Sequence, residues 1–99
     1  VEVMPEFIGG TAALMKYLSS NIKYPTISQE TGSQGKVIVQ FVVDRDGTIS
    51  NPEVVRGVDP YLDKEAIRVI SSMPKWTPGV QNGKKVRVKY TVPVSFRLQ

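Results

Sequence analysis

Val86-Arg87-Val88-Lys89-Tyr90-Thr91-Val92-Pro93-Val94-Ser95-Phe96-Arg97-Leu98 is the stretch whose reading decides the fold. Every even position is apolar, and every odd position is Arg, Lys, Thr, Pro or Ser. Side chains alternate across a strand with period two, so the pattern predicts one long strand with one face on a core and the other in water. Pro93, in its middle, has no N–H to give to a ladder. Within a sheet it belongs on an edge strand, with that side of the backbone outward. Such an edge, carrying a basic outer face, is either masked or open to a partner's strand.

Before this strand, Lys75 to Lys84 holds Pro78, Gly79 and Gly83 around Trp76 and reads as a loop. Gly57-Val58-Asp59-Pro60 reads as a helix start, with Asp59 as N-cap and Pro60 at the first helical position. Leu62, Ala66, Val69, Ile70 and Met73 then form an apolar stripe at helical spacing. Asp63 and Glu65 lie early in that helix and Arg68 later, the order its dipole favours, and Pro74 ends it. Further out, Val37, Val39, Phe41 and Val43 alternate with Lys36, Ile38, Gln40 and Val42. The mixed second face predicts a central or partly covered strand. Asp44-Arg45-Asp46-Gly47 is a hairpin turn, and the strand returns from Thr48 to Val55. Pro52 places that returning strand on the other edge or at a bulge.

Residues 1–10 are expected to form an extended lead-in that ends in a turn at Gly9-Gly10, with residues 11–99 making one domain. Phe7 and Ile8 are positioned to staple the first turn of a helix over Thr11–Ile22. Leu14, Tyr17, Leu18 and Ile22 line its apolar stripe, and Pro25 drives Tyr24 out of helical conformation. Pro25–Glu30 reads as a short helical turn with proline first, Ile27 as its core anchor and Gly32 closing it. The expected class is α+β. A right-handed crossover through the second helix sets the long strand beside the first, giving a three-stranded antiparallel sheet of order 2-1-3 with two helices on one face. Both strand prolines then fall on edges.

With 99 residues, 40% hydrophobic and 22% charged, the chain has the composition of one globular domain. No apolar run approaches the roughly 18 residues that a membrane span needs. Opening on Val1 rather than Met, the chain is expected to be an excised piece with any targeting segment outside it. It has no cysteine and no histidine, which excludes disulfides, thiol nucleophiles, Cys/His zinc sites and Ser-His-Asp arrangements. Asp44, Asp46 and Gly47 lack the further ligands of a calcium loop, whose twelfth position here is Val55. No catalytic residue, cofactor or metal is expected. Residues 66–99 hold seven basic and no acidic side chains, whereas residues 1–65 hold six basic and nine acidic ones. The long strand therefore lies in a region that attracts acidic partners. Nucleic acid is the rival partner, but Tyr90 and Phe96 have the apolar parity of the strand and its cations the other. A base-stacking platform needs aromatics on the open, charged face.

Several stretches, in order, carry a resemblance: Pro5-Glu6-Phe7-Ile8-Gly9-Gly10, Ala13-Leu14, Tyr17-Leu18, Asn21-Ile22-Lys23-Tyr24-Pro25, and Gly35-Lys36-Val37 through Phe41-Val42-Val43. They continue with Asp46-Gly47-Thr48-Ile49, Leu62-Asp63-Lys64-Glu65-Ala66, Met73-Pro74-Lys75-Trp76-Thr77-Pro78-Gly79 and Pro93-Val94-Ser95-Phe96-Arg97-Leu98. Together they cover nearly the whole chain, which resembles the C-terminal domain of TonB-type energy transducers. The resemblance implies a periplasmic domain held to the inner membrane by a segment outside this chain. It implies no chemistry of its own. Its implied partners are the TonB-box segment of outer-membrane transporters and, through the missing N-terminal part, a proton-driven inner-membrane motor complex. In that family the box adds as a strand beside the last strand, which here offers Lys89, Thr91, Pro93, Ser95 and Arg97 along its edge. The segment before the Tyr-Pro pair also contacts the box there, which points to Asn21, Lys23 and Tyr24. The enterobacterial form has Gln and Pro in that segment, where this chain has Asn21-Ile22-Lys23. Two alternatives accompany this reading: the same kind of domain appended to a membrane sensor or peptidase, and a homodimer that pairs two copies through the open edge.

Overall fold

A computed structural model describes residues 1–98. Its elements are α1 (Gly10–Asn21), α2 (Thr26–Glu30), β1 (Gly35–Val43), β2 (Ile49–Arg56), α3 (Pro60–Ser71), β3 (Gly79–Gln81), β4 (Lys84–Val86) and β5 (Val88–Phe96). The main sheet has the order β2-β1-β5 and is antiparallel throughout, which is the expected 2-1-3 arrangement. Val37, Val39, Phe41 and Val43 of β1 are buried with Val92, Val94 and Phe96 of β5. They meet Leu14 and Leu18 of α1 and Leu62, Ala66, Val69 and Ile70 of α3 in a single core. The two longer helices thus lie on one face. The opposite face, with Lys36, Lys89, Thr91, Pro93 and Ser95, is exposed.

The caps follow the local sequence. The Asp59 carboxylate accepts the Leu62 N–H at 2.7 Å, with Pro60 in the first turn behind it. Burial alone would raise the Asp59 carboxyl, but hydrogen bonds from Ser33, Leu62 and Ser28 outweigh it and hold the carboxyl below its usual range. At the β1–β2 hairpin, Asp44 N–H donates to the Thr48 carbonyl at 2.9 Å and Gly47 N–H to the Asp44 carbonyl at 2.9 Å. Gly47 adopts φ 89°, the conformation that Asp-Gly predicts. On β2 the register slips between Gln40 and Val42, so that Asn51 and Pro52 form a bulge on an edge strand. Both of the positions that admit a strand proline are therefore combined at Pro52.

Five local expectations are corrected. The long strand does not run from Val86 to Leu98. Its pairing with β1 extends from Gly35 opposite Phe96 to Val43 opposite Val88, where β1 ends. Beyond that point Lys84–Val86 has no ladder partner in the main sheet and pairs with Gly79–Gln81 instead. Arg87 marks the break, and its guanidinium pairs with Asp44 at 2.7 Å. The segment expected as a loop over Lys75–Lys84 consequently contains β3 and the turn to β4. That turn places Asn82 (φ 51°) and Gly83 (φ 73°) in the left-handed region, as a tight two-residue hairpin requires.

In the short second helix, Ile27 is 47% exposed and does not anchor it. Ser28 is the buried residue, its hydroxyl donating to Asp59 Oδ2 at 3.0 Å. A helix of five residues presents only one turn to the core, and the Ser28–Asp59 bond decides which side that is. Pro25 is the N-cap of this helix rather than its first helical residue, so the helix starts one position later than expected. Ahead of α1, Phe7 is buried and packs on Tyr17, with ring centroids 5.6 Å apart, beyond the first turn that it is expected to staple, while Ile8 is exposed. The lead-in bridges to the small ribbon at Val3 with Val80 and to the segment just before it at Glu6 with Thr77.

Candidate partner-binding edge

β5 pairs only with β1, so among the described residues its outer edge carries no strand. Pro93 stands opposite Ile38 in a register that continues unbroken on both sides. In an antiparallel ladder, residues alternate between exchanging two hydrogen bonds with the residue opposite and exchanging none. A proline keeps the ladder whole only at the second kind of position. Lys89, Thr91 and Ser95 share its parity and therefore turn their backbone N–H groups and carbonyls outward. Their side chains lie on the sheet face away from the helices and are exposed, as that parity requires. Arg97 has the same parity and lies one residue beyond the end of β5.

Asn21 is the last residue of α1, and Lys23 and Tyr24 lie in the link from α1 to α2. Its conformation is set by α3. Glu65, buried on α3, accepts the Lys23 N–H at 2.6 Å and the Arg68 guanidinium at 2.7 and 2.8 Å. Arg68 in turn donates to the Asn21 carbonyl at 2.9 Å. Burial alone would raise the Glu65 carboxyl, but the Arg68 hydrogen bond, the Lys23 N–H and both positive charges hold it below its ordinary value. The Asn21 side chain bonds back to the Tyr17 carbonyl at 2.8 Å and closes the end of α1. This clamp was not assigned as such from sequence. Its available signal is the Glu65–Arg68 spacing of three on one helix face.

Tyr24 joins the two groups of candidate residues. Its ring stands edge-on to Phe96, with centroids 5.6 Å apart and planes at 90°, at the C-terminal end of β5. Its hydroxyl donates to the Ser33 carbonyl, and burial, reinforced by the charge of Asp59, raises its pKa. At the other end of β5, Tyr90 packs on Trp76 at 4.9 Å, and Trp76 on Phe7 at 5.8 Å. Residues flanking α1 on both sides are thus fastened to the two ends of the edge strand. Asn21 and Lys23 themselves face α3 rather than β5. Among the described residues no group of three or more carboxylates, histidines or cysteines is placed to hold a metal ion.

The depressed Glu65 carboxyl has a consequence for stability. A carboxyl whose folded pKa lies below its unfolded value stabilises the fold fully above the unfolded value and loses that contribution as pH falls through the folded one. In Glu65→Gln, the destabilisation relative to the parent is expected to be largest at pH 6 and to shrink as pH falls from about 5 to about 3. Urea denaturation at pH 6 and pH 3 measures both. An equal difference at the two values would remove Glu65 as the source.

Comparison with known proteins places these features in a family. The family described as Gram-negative bacterial TonB protein C-terminal matches residues 20–98. A TonB protein of Haemophilus influenzae is 32% identical over 85 residues, which cover 82% of this chain and 32% of that protein. A TonB protein of Helicobacter pylori is 26% identical over 83 residues, covering 83% of this chain and 28% of that one. The chain therefore spans about a third of the length of these relatives. Two solution structures of the H. pylori TonB C-terminal domain share its fold. One has a TM-score of 0.67 at 24% identity, covering 87% of this chain and 90% of that one. The other has a TM-score of 0.57 at 25% identity, covering 85% and 78%.

Proposed function

The chain belongs to the Gram-negative bacterial TonB C-terminal family, and from that membership we propose that it is the partner-gripping domain of a periplasmic energy transducer. Its partner is the short box segment of an outer-membrane transporter, which adds as a strand along β5. The inner-membrane anchor and the contact with a proton-driven motor belong to sequence outside this chain. One observation carries the reading: a nine-residue strand is fully paired with β1 on one side and, among the described residues, bare on the other. Backbone pairing supplies the affinity in such strand addition, and the alternating side chains supply selectivity.

The incoming strand meets N–H donors at Lys89, Thr91 and Ser95 and only a carbonyl at Pro93. Its ladder therefore has a gap opposite Pro93. The charge of this last third of the chain, seven basic and no acidic side chains over residues 66–99, steers acidic segments toward the edge. Force enters by the lead-in, which reaches the core at Phe7, and leaves through the strand paired to β5.

The test is amide exchange of the domain with and without a box peptide from a transporter of the same bacterium. Thr91 and Ser95 gain protection on binding; unchanged protection at both defeats the reading. Ser95→Pro is expected to weaken peptide binding by about tenfold, the scale of one or two lost backbone hydrogen bonds. Its own stability should change little, because that N–H has no partner in the free domain. Equal losses of binding and stability count against the assignment of the edge. Sedimentation of the free domain separates transporter binding from pairing of two copies through β5.

A further inference from the structure

Between the α1–α2 link and the outer face of α3 lies a groove of about 410 Å³, bordered by Lys23, Tyr24, Pro25, Tyr61, Lys64 and Arg68. Tyr61 is 50% exposed, a large aromatic side chain left half in water beside Pro25. An aromatic and a proline set together in this way offer an apolar seat for a side chain or a proline of an extended peptide. Lys23, Lys64 and Arg68 border that seat, and Glu65, which also lines it, neutralises Arg68. Only two ion pairs occur among the described residues, and neither uses Lys23 or Lys64.

The neighbouring carboxylates are already engaged. Both oxygens of Glu65 are taken by the Lys23 N–H and the Arg68 guanidinium. Asp59 caps α3 and accepts from Ser28, and Asp63 accepts the Val58 N–H at 2.9 Å. Asp59 and Asp63 lie outside the lining, so the charges left free at the rim are those of Lys23 and Lys64, around an apolar floor. From this charge complementarity we infer that the groove binds an acidic, extended segment that carries a proline or an aromatic residue, contributed by the same partner that adds to β5. The identity of the partner, though not the groove's preference for acidic peptide, rests on the strand-addition reading. Tyr24 links the two surfaces, since it borders the groove and its ring packs on Phe96 at the end of β5.

The probe is a capped synthetic peptide, Glu-Pro-Phe-Glu-Asp, titrated into the 15N-labelled domain at low salt and again at 0.3 M salt. Amide shifts are expected at Thr26, Tyr61, Lys64 and Arg68, with Thr91 and Ser95 unmoved and affinity falling at the higher salt. Lys64→Glu is expected to weaken the peptide about tenfold, and Tyr61→Ala severalfold. Both side chains are exposed, so both variants are expected to fold, and both should keep the protection that a box peptide gives Thr91 and Ser95. Shifts confined to the basic stretch Lys84–Lys89, or an affinity indifferent to both substitutions, overturn the proposal. If the acidic peptide moves the groove amides while a box peptide leaves Thr91 and Ser95 unprotected, the groove is upheld and the strand-addition reading fails.

Discussion

Trp76→Ala is expected to cost about 3–5 kcal/mol of folding stability, the range for removing a large buried aromatic side chain. Trp76 is 3% exposed, although it sits outside every helix and strand. Its ring meets Phe41 at 5.3 Å, Phe7 at 5.8 Å and Tyr90 at 4.9 Å. It therefore joins the central strand, the lead-in and the edge strand at one point. Each of these aromatic contacts adds to the area buried, and the cavity left by alanine has rigid β1 on one side. Urea denaturation measures the loss directly. Amide exchange should show the lead-in bridges at Val3 and Glu6 opening more readily than α3, because the lead-in depends on Trp76 and Phe7. A loss below about 1 kcal/mol, typical of a surface change, would contradict that joining role.

Gly47→Ala is expected to lower the melting temperature by roughly 12–20 °C, corresponding to about 3 kcal/mol in a domain of this size. Two causes act together. Gly47 has φ 89°, which strains any residue with a Cβ. A Cβ there would also lie 2.0 Å from the Trp76 carbonyl oxygen, which is backbone and cannot swing aside. That close approach is part of the same junction, since Trp76 N–H donates to the Gly47 carbonyl at 2.8 Å. The two substitutions therefore act on one junction, Gly47→Ala on the backbone of residue 76 and Trp76→Ala on the ring that holds that backbone in place. In a double-mutant cycle Gly47→Ala and Trp76→Ala should cost clearly less together than the sum of their separate losses. Additive losses within about 0.5 kcal/mol would separate the turn from the tryptophan.

The partition between what was legible in the chain and what was not follows the range of the forces involved. Period-two alternation in Lys36–Asp44 and in Val88–Phe96 and the stripe from Leu62 to Met73 are local patterns. Each states which face is buried before any partner is known. Asp59-Pro60 and Asp46-Gly47 are local too, because a cap and a positive φ are satisfied within four residues. Ile27 misled for a related reason. A single helical turn has too few positions to define a stripe, and the buried side of α2 was decided by Ser28 bonding to Asp59, which is 31 residues away. The clamp from Glu65 to Asn21 and Lys23 is of the same kind. Half of it is a spacing within α3, and the other half exists only once α1 has packed.

The strand that opened the reading shows the division most clearly. The sequence by itself determined that Val92, Val94 and Phe96 face a core, that Pro93 requires an edge, and that Thr91 and Ser95 share its parity. These follow from the geometry of one strand and the chemistry of one residue. Only the tertiary structure decided where the strand stops. Alternation continues back to Val86, but a ladder needs a partner, and β1 ends at Val43 opposite Val88. Hydrogen-bond pairing over long sequence separation, not side-chain pattern, therefore broke the apparent strand at Arg87. The same pairing left nine residues with one side bare among the described residues.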